Sequence, residues 1–336
     1  MFLNFLLLIS MLVLGAFQGS TTSSANGDAN GYVPLDYTVR DIYSREILFQ
    51  AQPKLRFAQF AKVRRDFQAV QGKQVVFTKY NNLSGGGAIE EDVDIETDNM
   101  GTAEVTVPVK EYAKAVSVSE LLLQTSFQDV MGNASRLLAN HCAVTVDTML
   151  RDSLLATPNK IYGNGRLANA AAFNGAATED KIFSTQTVKS AVQFLEENNA
   201  PRYDNEYYVC FLTPAQATQM RNDPDWIRAN TYNGRRQIYL GEIGMYDSVI
   251  FISTTQMPTY ANAAAAVAAG WTGVTLDDTK VALIFGENAV AWGIALDVEL
   301  RDDGIINFGR KHSLAWYAIW GSKILETDNV YAVITV

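Results

Sequence analysis

Apolar positions along this chain change rhythm from a period of two to a period of three or four and back again. Gln74 to Tyr80 is rich in β-branched and aromatic residues and predicts a strand. Asn81 to Gly87 holds Ser84 and the run Gly85-Gly86-Gly87, which predicts a loop. Asp92, Asp94, Glu96 and Asp98 then alternate with Val93, Ile95 and Thr97, so a strand there carries carboxylates on one face and apolar groups on the other. Asn99-Met100-Gly101 reads as a turn. Val105, Val107 and Val109 alternate with Glu104, Thr106 and Lys110, and Pro108 suits an edge because it has no N–H to give a ladder. The result is a long β excursion from Gln74 to Ser119. A two-stranded ribbon is marginal alone in water, and its open edge invites pairing, so the excursion needs support from its own body or from a neighbour.

Helical spacing dominates elsewhere. Tyr37 to Phe67 is helical in parts, interrupted at Pro53, with Lys62, Arg64 and Arg65 placed as cations at a helix C-terminus. Leu123, Phe127, Val130, Ala134, Leu138, His141 and Val144 step by three or four. They predict one long helix over Ser119 to Thr157, with Ser117 or Ser119 as cap, a kink at Gly132-Asn133 and Pro158 as the stop. Further on come a helix over Thr185 to Asn198, a buried strand over Tyr207 to Leu212, and a helix opening at Pro214 with Thr213 as its cap. Gln237 to Leu240, Ser248 to Ser253 and Val281 to Phe285 read as strands, and Tyr260 to Gly270 is an alanine-rich insertion. Leu296 to Leu300, Leu314 to Trp320 and Val330 to Val336 return to strand composition.

Composition narrows the classes. The chain has 336 residues, 48% hydrophobic and 19% charged, which is enough apolar content for a core and too little charge for a disordered polyanion. A net charge of -9 without a basic stripe argues against a protein built to grip nucleic acid. The two cysteines, Cys142 and Cys210, lie in apolar runs and read as buried thiols, consistent with a reducing cytoplasm. Met1 to Phe17 is nearly all apolar and Gln18 to Gly31 is small and polar. No lysine or arginine precedes Arg40, so this start is a poor secretory signal. An upstream start codon, with Met11 as another, and an apolar packing arm are the other readings.

Catalytic constellations are missing from the sequence. There is no Gly-x-Ser-x-Gly elbow, His-Glu-x-x-His, Cys-x-x-Cys or phosphate loop, and the only histidines are His141 and His312. His141, close to the helical apolar stripe, reads as a satisfied core residue. The acidic run Asp92 to Asp98 lacks the glycine and glutamate spacing of a calcium loop, so it reads as a solvated face. Asn82-Leu-Ser84 and Asn133-Ala-Ser135 match a glycosylation acceptor, a pattern too common to use without secretion. No catalytic, metal or cofactor-binding residue is assigned, and no cofactor is expected.

Several separated stretches, in order, resemble the coat-protein family of tailed phages named after coliphage N-four. They are Tyr43 to Pro53, Val76 to Leu83 with Gly85 to Gly87, Val116 to Thr125, Asp129 to Met131, Asn199 to Pro201, Asp223 to Ile227 and Gly241 to Gly244. The resemblance covers roughly Val33 to Val336 and leaves out the apolar start. It implies an α+β chain of the Hong Kong ninety-seven type: an N-terminal arm, an extended β loop, a spine helix, and peripheral and axial domains. The implied boundaries are 1–18 for the apolar segment, 19–70 for the arm, 71–116 for the extended loop with peripheral strands, and 117–179 for the spine helix and peripheral domain. The axial domain would take 180–291, and 292–336 would return to the peripheral domain.

The function so implied is that of a major capsid protein, a structural protein and not an enzyme. It would self-assemble as pentamers and hexamers into an icosahedral head enclosing double-stranded DNA without sequence-specific binding. Portal and scaffolding or decoration proteins would be further partners, with no membrane, in a virion assembled in bacterial cytoplasm. Candidate subunit contacts on the extended loop are Asn82, Ser84, Gly85, Gly86, Gly87, Asp92, Asp94 and Glu96. The acidic face could meet Lys62, Arg64 and Arg65 of a neighbour, but surface charges usually stay in solvent. Alternatives are an encapsulin-like compartment shell, told apart by its protein cargo, and a secreted surface protein, which rests on Met1 to Phe17 alone.

Overall fold

A computed structural model describes residues 56–65, 74–80, 88, 97, 99–126, 129–232 and 242–336. It opens with a 3-10 turn, Ala58–Phe60, and a short strand, β1 (Lys62–Arg64). Next, β2 (Gln74–Tyr80) and β3 (Thr102–Pro108) pair antiparallel, from Gln74 opposite Pro108 to Tyr80 opposite Thr102. Beyond Pro108 the chain passes through Val109 into β4 (Lys110–Ser119). One extended run therefore leaves the ribbon and enters a larger sheet.

Two helices follow where the sequence predicts one. Ser119 caps α1 (Glu120–Thr125) by accepting the Leu122 N–H at 3.3 Å. Asp129 caps α2 (Val130–Leu155) by accepting the Gly132 N–H at 2.9 Å. The break thus lies between Thr125 and Val130, with Gly132 in the first turn of α2 instead of at a kink. At 26 residues α2 is about 39 Å long. Its buried face is Ala134, Ser135, Leu138, Ala139, Cys142, Ala143, Val146, Asp147, Met149, Leu150 and Leu154. Val144 and His141, both in the predicted stripe, are exposed, so the buried face is rotated from the expected one and His141 is not a core residue.

The second half adds β5 (Lys160–Tyr162), α3 (Ala170–Gly175), α4 (Thr178–Lys181), α5 (Thr185–Glu197) and β6 (Tyr208–Leu212). It continues through α6 (Pro214–Arg221), α7 (Pro224–Tyr232), β7 (Glu242–Tyr246), β8 (Val249–Ser253), β9 (Thr259–Tyr260) and α8 (Ala263–Ala268). Last come β10 (Thr279–Phe285), β11 (Val290–Ile306), β12 (Lys311–Ile324) and β13 (Val330–Thr335). Thr213 caps α6 as expected. Its hydroxyl accepts the Gln216 N–H at 3.3 Å while the Gln216 side chain accepts the Thr213 N–H at 3.0 Å, with Pro214 in the first turn.

Two sheets organise this body. One has four strands in the order β1-β11-β12-β4; the other runs β5-β13-β10-β6-β8-β7, with β9 beside β10. The central strands of the second sheet are continuous apolar runs, as a sheet covered on both faces requires. Val188, Ala191, Leu195, Met220 and Trp226 from α5, α6 and α7 cover one face. The other face joins α2, Phe57, Phe60 and the tryptophans of the four-stranded sheet in one core. Trp316 and Trp320 stack at 5.7 Å, and Trp292 meets Trp320 edge-on at 6.3 Å.

Lys62 to Arg64, expected to end a helix, instead form β1, which runs parallel to Ala291–Gly293 of β11. The C-terminal segment also divides. Strands β11 and β12 form a long hairpin in the four-stranded sheet, whereas β13 pairs with β10 in the other sheet. An apolar strand such as β13 gains more burial there than on a half-exposed sheet. After β10 the chain therefore crosses between sheets twice, at 286–289 and at 325–329. The two crossings bond to each other: Gly286 N–H donates to the Asn329 carbonyl at 3.0 Å, and Leu325 N–H to the Ala289 carbonyl at 2.9 Å.

Candidate functional site

Every contact candidate named from sequence (Asn82, Ser84, Gly85, Gly86, Gly87, Asp92, Asp94 and Glu96) lies outside the described residues, as does Met1 to Phe17. What the structure places is the root from which that loop departs. Val75 and Phe77 of β2 and Val107 of β3 are buried against Ala291 of β11, with Val105, Val109 and Leu325 beside them. The contact is close because the body presents glycines. A Cβ on Gly293 would fall 2.8 Å from the Val75 side chain, and one on Gly321 would fall 2.3 Å from the Pro108 carbonyl. Lys323 Nζ donates to the Thr106 carbonyl at 3.2 Å, and Lys79 pairs with Glu326 at 2.6 Å. The ribbon is thus seated on its own subunit at the base.

A second feature went unseen in the sequence. Residues 56–64 form a strap across both sheets. Phe57 stacks on Phe211 of β6 at 4.1 Å, and Phe60 lies edge-on to Phe211 at 5.7 Å and to Phe285 at 6.2 Å. Tyr203 donates its hydroxyl to the Phe60 carbonyl at 2.9 Å. Arg56 gives its backbone N–H to Asp147 of α2 at 3.1 Å and its guanidinium to the Ser253 carbonyl. Burial pushes the Asp147 carboxyl up to about 6, against the pull of the Arg56 and Phe57 N–H groups and the charges of Arg56 and Arg151. The spacing of Phe57 and Phe60 was the available signal.

Hollows on the body offer little chemistry. One, about 800 Å³, is an open groove beside β1 and β2, with Lys62, Arg64 and Lys79 facing Glu326 and Asp328. Another, about 670 Å³, separates α2 from the four-stranded sheet and holds Tyr112, His141, Asp152 and Ser322. There the His141 ring nitrogen lies 3.3 Å from the Thr145 hydroxyl and its ring 5.8 Å from that of Trp316, and Asp152 pairs with Arg151. His312 pairs with Asp302. Among the described residues no group of three or more His, Cys, Asp or Glu side chains gathers, and no helix is long and apolar enough to cross a membrane. Both cysteines are free and buried; burial raises Cys142 to about 12 and Cys210 well above its ordinary value.

A ribbon rooted on a four-stranded sheet, a long helix beneath it and a second sheet covered on both faces make up the Hong Kong ninety-seven fold of tailed-phage capsids. The chain belongs to the phage capsid protein family, whose model matches residues 147–323, just over half of it. The capsid of Ralstonia phage GP4 superposes with a TM-score of 0.67 at 16% identity, covering 94% of this chain and 98% of that one. A chain of the cyanophage Pam1 capsid asymmetric unit gives 0.64 at 15% identity, covering 95% and 98%. In sequence, the chain is 24% identical over 174 residues to the major capsid protein of Staphylococcus phage phiMR11. That match takes in 52% of this chain and 61% of the relative's length.

Proposed function

We propose that this chain is the major capsid protein of a tailed phage, copies of which close into an icosahedral head around double-stranded DNA. The observation that carries this reading is the capsid architecture itself, shared with phage shells over nearly the whole chain. Closed shells need several contacts per subunit, each of modest strength, and their number makes the shell stable.

On this reading 19–70 is the arm, 71–116 the extended loop with its root strands, and 117–179 the spine helix and its surroundings. The axial domain is 180–291, and 292–336 returns to the peripheral sheet before β13 adds to the axial one. Asn82, Ser84, Gly85 to Gly87, Asp92, Asp94 and Glu96 would touch the adjacent subunit. The protein acts without catalysis, as pentamers and hexamers, and takes portal and scaffolding or decoration proteins as further partners. Its net charge of -9 keeps packaged DNA from adhering to the wall. Assembly in the bacterial cytoplasm fits two buried thiols that form no disulfide.

Negative-stain microscopy of the purified protein tests the proposal. Shells, or rings of five and six, are expected. A uniform population of monomers at all concentrations would overturn it, and shells filled with an enzyme instead of DNA in infected cells would favour a compartment protein.

A further inference from the structure

The turn between β11 and β12 breaks two local rules at one residue. Asn307, Phe308 and Gly309 all lie at positive φ, at 55°, 55° and 87°. Asparagine and glycine suit such a turn, but a phenylalanine there costs about 1 kcal/mol or more in backbone strain. Its ring is also fully in solvent, with a relative exposure of 104%. Neither cost is offset within the described part of the subunit. Local rules broken together in this way mark positions kept for function.

A receiving surface sits at the same corner. The Glu120 N–H donates to the Arg310 carbonyl at 2.9 Å, which fixes α1 against the turn. On α1, Leu121 and Leu122 are 74% and 47% exposed. Between helix and turn lies an open hollow of about 730 Å³, where Leu121 stands among Ser119, Gln124 and Asn307 and the charged Glu120, Arg310 and Lys311.

We propose that Phe308 of one copy seats in the hollow against Leu121 of a second copy. This rests on the coat-protein reading above and names one contact within it. Knob and hollow occupy one corner of one chain, so copies arranged about an axis can each give a ring and receive one, in a head-to-tail contact that closes. The hollow carries both signs, so Glu120 of one copy can face Arg310 or Lys311 of the next without like-charge repulsion. A buried aromatic with a charged rim is how interface energy is commonly concentrated.

Two experiments decide it. Phe308→Gly relieves the backbone strain, so the isolated subunit should keep its circular dichroism and melt no lower than the wild type. Its shells should fail to form, or should dissociate at lower denaturant; shells as resistant as the wild type's would overturn the contact. In a mixture of Phe308→Cys and Leu121→Cys subunits, oxidation should yield a disulfide-linked dimer that neither variant forms alone, since Cys142 and Cys210 are buried. No dimer in the mixture, or dimers from either variant alone, would overturn the pairing. If the wild type makes no shells at all, the coat-protein reading falls, while the crosslink still judges the contact.

Discussion

The Asp147 carboxylate, on the buried face of α2, accepts the backbone N–H of Arg56 at 3.1 Å. One ionisable group inside the core therefore receives the start of the strap, and the strap's attachment acquires a pH dependence.

Its sign follows from the direction of the shift. Asp147 rises from the usual 3.8 to about 6 on folding, chiefly through burial. Between about pH 4 and 6 the folded chain holds a proton that the unfolded chain has lost, so this group favours folding at acid pH and costs stability above about 6. At ~1.4 kcal/mol per pH unit the cost at neutrality is about 3 kcal/mol. Asp147→Asn keeps an acceptor for the Arg56 N–H without the charge. Denaturant titrations should show this variant gaining on the wild type as pH rises from 4 to 7; a stability difference independent of pH would contradict the account.

Phe57→Ala should cost about 3–5 kcal/mol, because a fully buried ring stacked on Phe211 leaves a cavity shared by α2 and the second sheet. Thermal melts of the unassembled subunit give the measurement. A loss below about 1 kcal/mol would mean the strap is not part of the core.

Gly321→Ala and Gly293→Ala should each destabilise by about 1–3 kcal/mol through overpacking against the ribbon root. Hydrogen exchange should rise across 74–80 and 102–108 in both. Gly175→Ala, where nothing lies within 4 Å of the added carbon, is the control and should leave exchange unchanged.

A thiol reagent at pH 8 should titrate neither Cys142 nor Cys210 in the folded protein and both after unfolding, because both thiols are buried and hard to ionise. Rapid reaction of either in the native state would place it at the surface.

How far the sequence could be read depended on whether the deciding partner was near in the chain. Tyr208–Leu212 was plain because every residue is apolar, and the cap at Thr213-Pro214 because its chemistry is local. Lys62 to Arg64 looked like a helix end, yet their partners are Ala291 to Gly293, which no local pattern reveals. On α2 the expected stripe took in Val144 and His141 and passed over Ser135 and Asp147. Those two are buried because the helix is covered on several sides, and Asp147 because it receives N–H groups from the distant strap. As for the contact surfaces, the loop candidates came from resemblance. Phe308 passed unnoticed because its oddity lies in backbone angle and exposure, which residue type does not disclose.

The paired crossings between the sheets carry a mechanical consequence. Tension that draws one sheet away from the other loads 286–289 and 325–329 together, as two cables lashed side by side. Because each is bonded to its twin at both ends, a pull on the sheets is shared between the two. Load passing from sheet to sheet is thereby spread over two lengths of chain.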